Sequence, residues 1–245
     1  MPYFALLKAA VTKSFSEPFS AENLTWEHVR FVFFEFSPTR LALKNTLLLG
    51  FMAATAGTVL ALVVSYLATR TLIWGHSLLG FLATAPIAIP GIVLGVGLFL
   101  AYTRGPVVLY GTVWILLLAY LTIELPAAYQ QLQSALQGIS AELEEAGRIL
   151  GAGRIRTLKD ITTPLLRTGV IAAWCFIFIG VMRELSAAIM LFTAETKVIP
   201  VVIYDLNESG NLSAISVLGL TLLALTFVVT LLANRVPGLG APVRV

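Results

Sequence analysis

The chain has 245 residues, of which 58% are hydrophobic and only 12% charged, with a mean hydropathy of +0.90. Soluble domains carry about 25% charged residues, so this is a polytopic membrane protein and not a soluble domain with a large core. A net charge of only +3 reads as cytoplasmic-loop bias and not as a nucleic-acid surface, and two His and one Cys exclude a disulfide framework and a Cys/His metal cluster.

In chain order, residues 1–10 are apolar but too short to span, and read as the outer end of a helix whose beginning is absent. Residues 14–40 are aromatic and charged, punctuated by Pro18 and Pro38, and are expected to form an interfacial segment with a short helix between Trp26 and Phe34. Segments 43–68, 78–102, 107–126, 169–192 and 213–233 are apolar runs. Each is long enough to cross about 30 Å of hydrocarbon, which takes about 20 residues. The predicted fold class is therefore all-α, a polytopic bundle of about five full transmembrane helices. Residues 1–40 form the partial first helix and interfacial segment, and 41–245 the membrane domain. Pro86 and the Pro90-Gly91 pair predict a kink or loosening in the second span. Gly91, Gly95 and Gly97 offer a flat face there, for close helix packing or for a flexible gate. Glu124 is placed near the inner end of the third span, before Pro126. Trp26, Tyr102, Tyr110 and Tyr129 suit interface anchors. Cys175, among Trp174, Phe176 and Ile177, suits a small packing residue.

Lys and Arg set the orientation. Arg148, Arg154, Arg156, Lys159 and Arg167 make the densest basic cluster, so the loop between the third and fourth spans is placed in the cytoplasm. Alternation puts the 70–77 turn and the 235–245 tail inside as well. It leaves 14–40, 103–106 and 193–212 outside, together with the discordant Arg30, Arg40 and Lys44.

The cytoplasmic loop carries the most information. Ser140 suits an N-cap and Glu142 the positive end of the helix dipole. Leu143, Ala146, Gly147 and Leu150 follow at helical spacing and make one apolar stripe, with Glu144, Glu145 and Arg148 off it. Gly151-Ala152-Gly153 then stops the helix, and Pro164 marks re-entry into the membrane. From periodicity alone this short amphipathic helix suits either a partner-facing surface or a helix resting on lipid headgroups.

The segment resembles the EAA loop of the permease subunits of binding-protein-dependent ABC importers. That pattern has Glu-Ala-Ala, a Gly six residues after the Glu, and Ile-x-Leu-Pro beginning ten residues later. Glu145, Ala146, Gly151, Ile161 and Pro164 fall on those positions, whereas Gly147 replaces the second Ala and Thr163 the Leu. The resemblance runs from about Phe31 onward and includes Asn45-Thr46 at the head of the first full span. It implies a cytoplasmic coupling helix, with Glu144, Glu145, Ala146, Gly147, Gly151, Ile161 and Pro164 serving the contact with an ATPase. It also implies the partners: two ABC ATPase subunits, a second permease half or homologous subunit, and an extracytoplasmic substrate-binding protein, all at a bacterial cytoplasmic (inner) membrane. No G-x-x-x-x-G-K-[ST] loop occurs in the chain, so ATP hydrolysis is expected on a separate subunit and the chain is not expected to be an enzyme.

Arg183 and Glu184 are read as lying deep in the fourth apolar run. Charges in hydrocarbon are costly, so the pair either borders the pathway or locks helices together; Pro90 and Gly91 are the other pathway or gate candidates. The Arg183-Glu184-Leu185 segment, with residues 196–210 beyond it, resembles the ferric-iron branch, specifically the second half of its fused permeases. Thiamine, phosphonate and polyamine permeases are similar. No cofactor and no stable metal site are expected, because the binding protein carries specificity in this family and Glu124, Glu184, Asp205 and Glu208 form no dense cluster. Two other classes stay in view: an ion-coupled secondary transporter, which interrupted helices would suit, and an intramembrane enzyme, for which Ser77, Ser186 and Thr193 have no membrane histidine as a base.

Overall fold

The computed structural model describes residues 2–235; the tail from 236 to 245 that the sequence assigns to the cytoplasm lies outside the described residues. Its helices are α1 Pro2–Val11, α2 Glu27–Arg30, α3 Pro38–Thr69, α4 His76–Thr84, α5 Gly91–Tyr102, α6 Val113–Gln137, α7 Ala141–Ile149, α8 Arg154–Thr157, α9 Thr163–Arg183, α10 Ala188–Leu191, α11 Ile199–Glu208 and α12 Leu212–Asn234. Among the described residues four helices are long and apolar enough to cross a membrane, or five where the bent pair α4–α5 counts as one span.

The expected short helix after Trp26 is α2 with the π-helical turn Phe31–Glu35, and the expected end of α1 precedes Ser14. Three spans depart from the sequence expectation. The second is not one helix: a 3-10 turn Ala85–Ala88 and the extended Ile89 separate α4 from α5, which turn by 106°. Pro86 and Pro90 each remove a backbone donor. The third does not stop at Pro126, because α6 runs through it to Gln137. A proline costs one backbone bond, and neighbouring helices make that tolerable in a membrane. Glu124 thus lies in the middle of α6, not at its inner end. The fourth ends at Arg183 rather than 192.

Contacts divide the chain into two compact units: Met1–Gly50, Gly91–Ala119 and Val181–Val228, and Phe51–Pro90, Tyr120–Gly180 and Val229–Val245. In the first, Ile199, Val202 and Leu206 of α11 share a core with Val32, Ala42, Val217 and Leu218. The loop expected at 193–212 thus contains a helix, for which the 199, 202, 206 spacing is the signal. Asn45 Nδ2 donates to the carbonyls of Glu195 and Lys197 at 2.9 and 3.0 Å, and Thr46 Oγ1 accepts from Ile199 N–H at 2.9 Å, satisfying the start of α11.

In the second unit, Tyr129 is buried with Val64 and Ala83, so it is a core residue and not an interface anchor. Gly80 gives it room: a Cβ there would lie 2.7 Å from the Tyr129 hydroxyl. Trp174 Nε1 donates to Thr55 Oγ1 at 3.2 Å, tying α9 to α3.

Candidate coupling site and helix break

The loop helix forms where its caps require. Glu142 N–H donates to Ser140 Oγ at 3.2 Å, and acidic side chains fill the first turn. At the other end, Ala152 N–H bonds Gly147 O and Gly151 N–H bonds Arg148 O, each at 3.0 Å. This is a Schellman ending with Gly151 at the left-handed position, φ +88°.

The inner face of the helix carries a charge. Glu144, assigned to the partner-facing surface, is buried. Its carboxylate accepts from Tyr66 Oη at 3.1 Å, Arg70 Nε at 3.0 Å and Thr162 Oγ1 at 3.2 Å. Arg70 Nη2 lies 2.9 Å from the same carboxylate and also donates to Ile139 O at 3.0 Å. A fork of charge-assisted bonds at the end of α3 outcompetes an apolar contact for the inner face. Gly147 faces inward with it, and a Cβ there would lie 2.8 Å from Ile161 Cδ1. Gly147 and Ile161 therefore pack on each other, which accounts for the glycine at this position. The apolar stripe predicted to be one surface is divided: Leu143, Ala146 and Leu150 are exposed while Gly147 is not.

Exposed residues of the loop are Glu145, Ala146 and Gly151, with Ile149, Leu150 and Ile155 each more than four-fifths exposed. A cavity of about 120 Å³ opens between Tyr66, Arg70, Glu144, Glu145, Arg148 and Thr157. Pro164 follows a π-helical turn, Leu158–Thr162, in which Thr163 N–H reaches back to Leu158 O. Widening the helix there accommodates a residue without a donor. Tyr66 and Arg70 were missed as site residues. Their signal in the sequence is a cation ending an apolar span.

The other predicted group lies in the first unit. α9 has 21 residues and is about 31 Å long at helical rise. Arg183 therefore closes that helix and does not stand in its middle. Glu184 Oε1 accepts from Ala187 N–H at 3.0 Å, so its charge is engaged at the start of α10. A Cβ on Gly91 would lie 3.0 Å from Ser186 Cβ and 3.4 Å from Glu184 Oε1, and one on Gly95 3.0 Å from Met190 Cβ. The break after Pro90 and the break after Arg183 are thus brought together, with Gly91 and Glu184 in contact range. Gly97 faces open space and takes no part in the packing face. Arg183 is exposed. Among the described residues no group of three His, Cys, Asp or Glu could hold a metal.

Residues 47–237 match the family described as binding-protein-dependent transport system inner membrane component. The chain belongs to this family. A 2-aminoethylphosphonate transport system permease protein, PhnV, of Salmonella paratyphi A is 29% identical over 80% of this chain and 74% of its own length. The ferric transport system permease protein FbpB of Actinobacillus pleuropneumoniae is 27% identical over 80% of this chain, which spans only 29% of that protein. Among solved structures, a bacterial alginate ABC transporter in complex with an alginate pentasaccharide-bound periplasmic protein aligns with TM-score 0.75 and 17% identity, over 95% of this chain and 86% of that one. That likeness establishes the fold. The protein is therefore an inner-membrane permease of the ABC importer class, and the secondary-transporter reading is displaced.

Proposed function

We propose that this chain forms half of the translocation pathway of an ATP-driven importer, and that it receives force from a separate ATPase through the loop of α7 and α8. The observation that carries the reading is the exposed apolar group Leu143, Ile149, Leu150 and Ile155 on an otherwise charged loop. Such a patch on a soluble face marks a partner surface. In this reading the loop faces the cytoplasm, and two ATPase subunits, a second permease half and an extracytoplasmic binding protein complete the complex. Glu145, Ala146 and Gly151 belong to the ATPase contact, and Gly147, Ile161 and Pro164 shape the loop behind them. Replacing Leu150 and Ile155 by Glu should abolish ATPase co-purification while the permease elutes as a folded species; undiminished co-purification would refute the contact.

Arg183, Glu184, Pro90 and Gly91 form a pathway or gate element in the same reading, supported by the meeting of two interrupted helices with the exposed Arg183 beside them. A cysteine at 183 should react with a water-soluble thiol reagent in one nucleotide state, and protection in every state would favour a helix lock. For the cargo we favour ferric iron, on the Arg183-Glu184-Leu185 resemblance and the FbpB match. A second reading, an aminophosphonate, is favoured by the greater share of PhnV that the chain covers. Uptake of ferric iron against 2-aminoethylphosphonate by the reconstituted transporter separates the two.

A further inference from the structure

From the burial of Glu144 we infer that Arg70 and Glu144 are positioning residues that lock the coupling helix to the end of α3, and that they do not bind the ATPase themselves. The inference rests on the coupling reading above and adds how the force enters the membrane helices. Arg70 holds α7 at two places: Nη2 bonds Ile139 O, immediately before the Ser140 cap, and Nε and Nη2 grip the Glu144 carboxylate one turn into the helix. Two attachment points fix both the position and the rotation of a short helix, which one contact would not do.

Tyr66 adds a bond to the second carboxylate oxygen from a turn earlier on α3. Thr162, just before α9, bonds the first. Gly147 against Ile161 closes the remaining side. One buried carboxylate thus joins α7, the last turns of α3 and the chain entering α9, with its side chain about one-tenth exposed. A push on the exposed face of α7 is then passed to α3, a helix of 32 residues, as rigid-body movement. A lysine at 70 would keep the charge but not the fork, because an ammonium has no fixed planar pair of N–H groups to converge on one carboxylate oxygen while also reaching Ile139 O.

The test uses the complete transporter in lipid, with spin labels at Glu142 on α7 and Val63 on α3, both exposed positions and neither in the proposed ATPase contact. Distances are measured with ATP and with ADP, and ATPase subunits per permease are counted in each sample. In the parent protein the distance should be the same in both nucleotide states. In Arg70→Met it should shift or broaden with ATP by about 2 Å or more, the scale of helix movements at shifting interfaces, with the ATPase count unchanged. Arg70→Lys and Tyr66→Phe should fall between, and they carry the test if Arg70→Met does not fold. An Arg70→Met protein with an unchanged distance, or one that loses its ATPase in proportion, would overturn the inference. An ATPase missing from the parent complex would defeat the coupling reading itself, and the lock with it.

Discussion

Gly151 separates two demands on the loop, helix termination and partner contact. It adopts φ +88° at the end of α7, where Ala152 and Gly151 N–H groups return to Gly147 and Arg148 carbonyls. A Cβ built there meets nothing within 4 Å. The cost of any other residue within this chain is therefore backbone strain alone, about 1–2 kcal/mol for an ordinary L-residue and less for Asn. Strain of that size changes an equilibrium by a factor of about 5–30. For the chain by itself, Ala and Trp should cost the same. If the ATPase covers the loop tip, Trp must cost more, because its ring occupies the partner's space. The assay is ATPase retained per permease after affinity purification of Gly151→Asn, Gly151→Ala and Gly151→Trp, with gel filtration to confirm folding. Asn should retain ATPase near the parent level, Ala should fall within the strain factor, and Trp should lose it altogether. Equal retention by Ala and Trp would refute the contact.

Asn45→Ala strips partners from two carbonyls and Thr46→Val strips one from Ile199 N–H; each should cost about 1–3 kcal/mol, seen as faster hydrogen exchange at the start of α11. Gly95→Leu should lower the thermal midpoint through overpacking of about 1–3 kcal/mol, because Met190 Cβ and the Ala187 backbone already stand 3.0–3.2 Å from a Cβ there. Gly97→Leu, facing open space, should leave the midpoint unchanged. Gly180→Ala would place a methyl 2.3–2.6 Å from the Glu124 carboxylate, which must turn away. Combining it with Glu124→Ala should give a smaller loss of midpoint than the sum of the single changes, and additivity would show that the two do not touch.

The apolar runs made the fold legible, because hydrocarbon thickness imposes a minimum length that composition alone reveals. They did not reveal where helices break or continue. Pro90 bends its span by 106° while Pro126 leaves α6 unbroken, so a proline in an apolar run does not by itself decide the outcome. The difference lies in Pro86 and Gly91 nearby, and in what packs against each. In the loop, spacing located the cap at Ser140 and the stop at Gly151, which are local properties. Rotation of α7 was not local. Periodicity groups Leu143 and Leu150 on one stripe without saying what it faces, and the partners of Glu144 come from 74 and 78 residues away in sequence, at Arg70 and Tyr66. A buried charge follows its partners, and those only tertiary structure supplies. Similarly, Arg183 and Glu184 looked buried in hydrocarbon because the apolar run continues beyond them, although the helix does not.

The most direct test is recovery of the tagged chain from its native membrane in mild detergent, with identification of the proteins that accompany it. A separate nucleotide-binding ATPase at two copies per complex, together with a second permease half, is the predicted result. Leu150→Glu/Ile155→Glu should then lose the ATPase and keep the second half. A folded chain recovered without any ATPase would contradict the account.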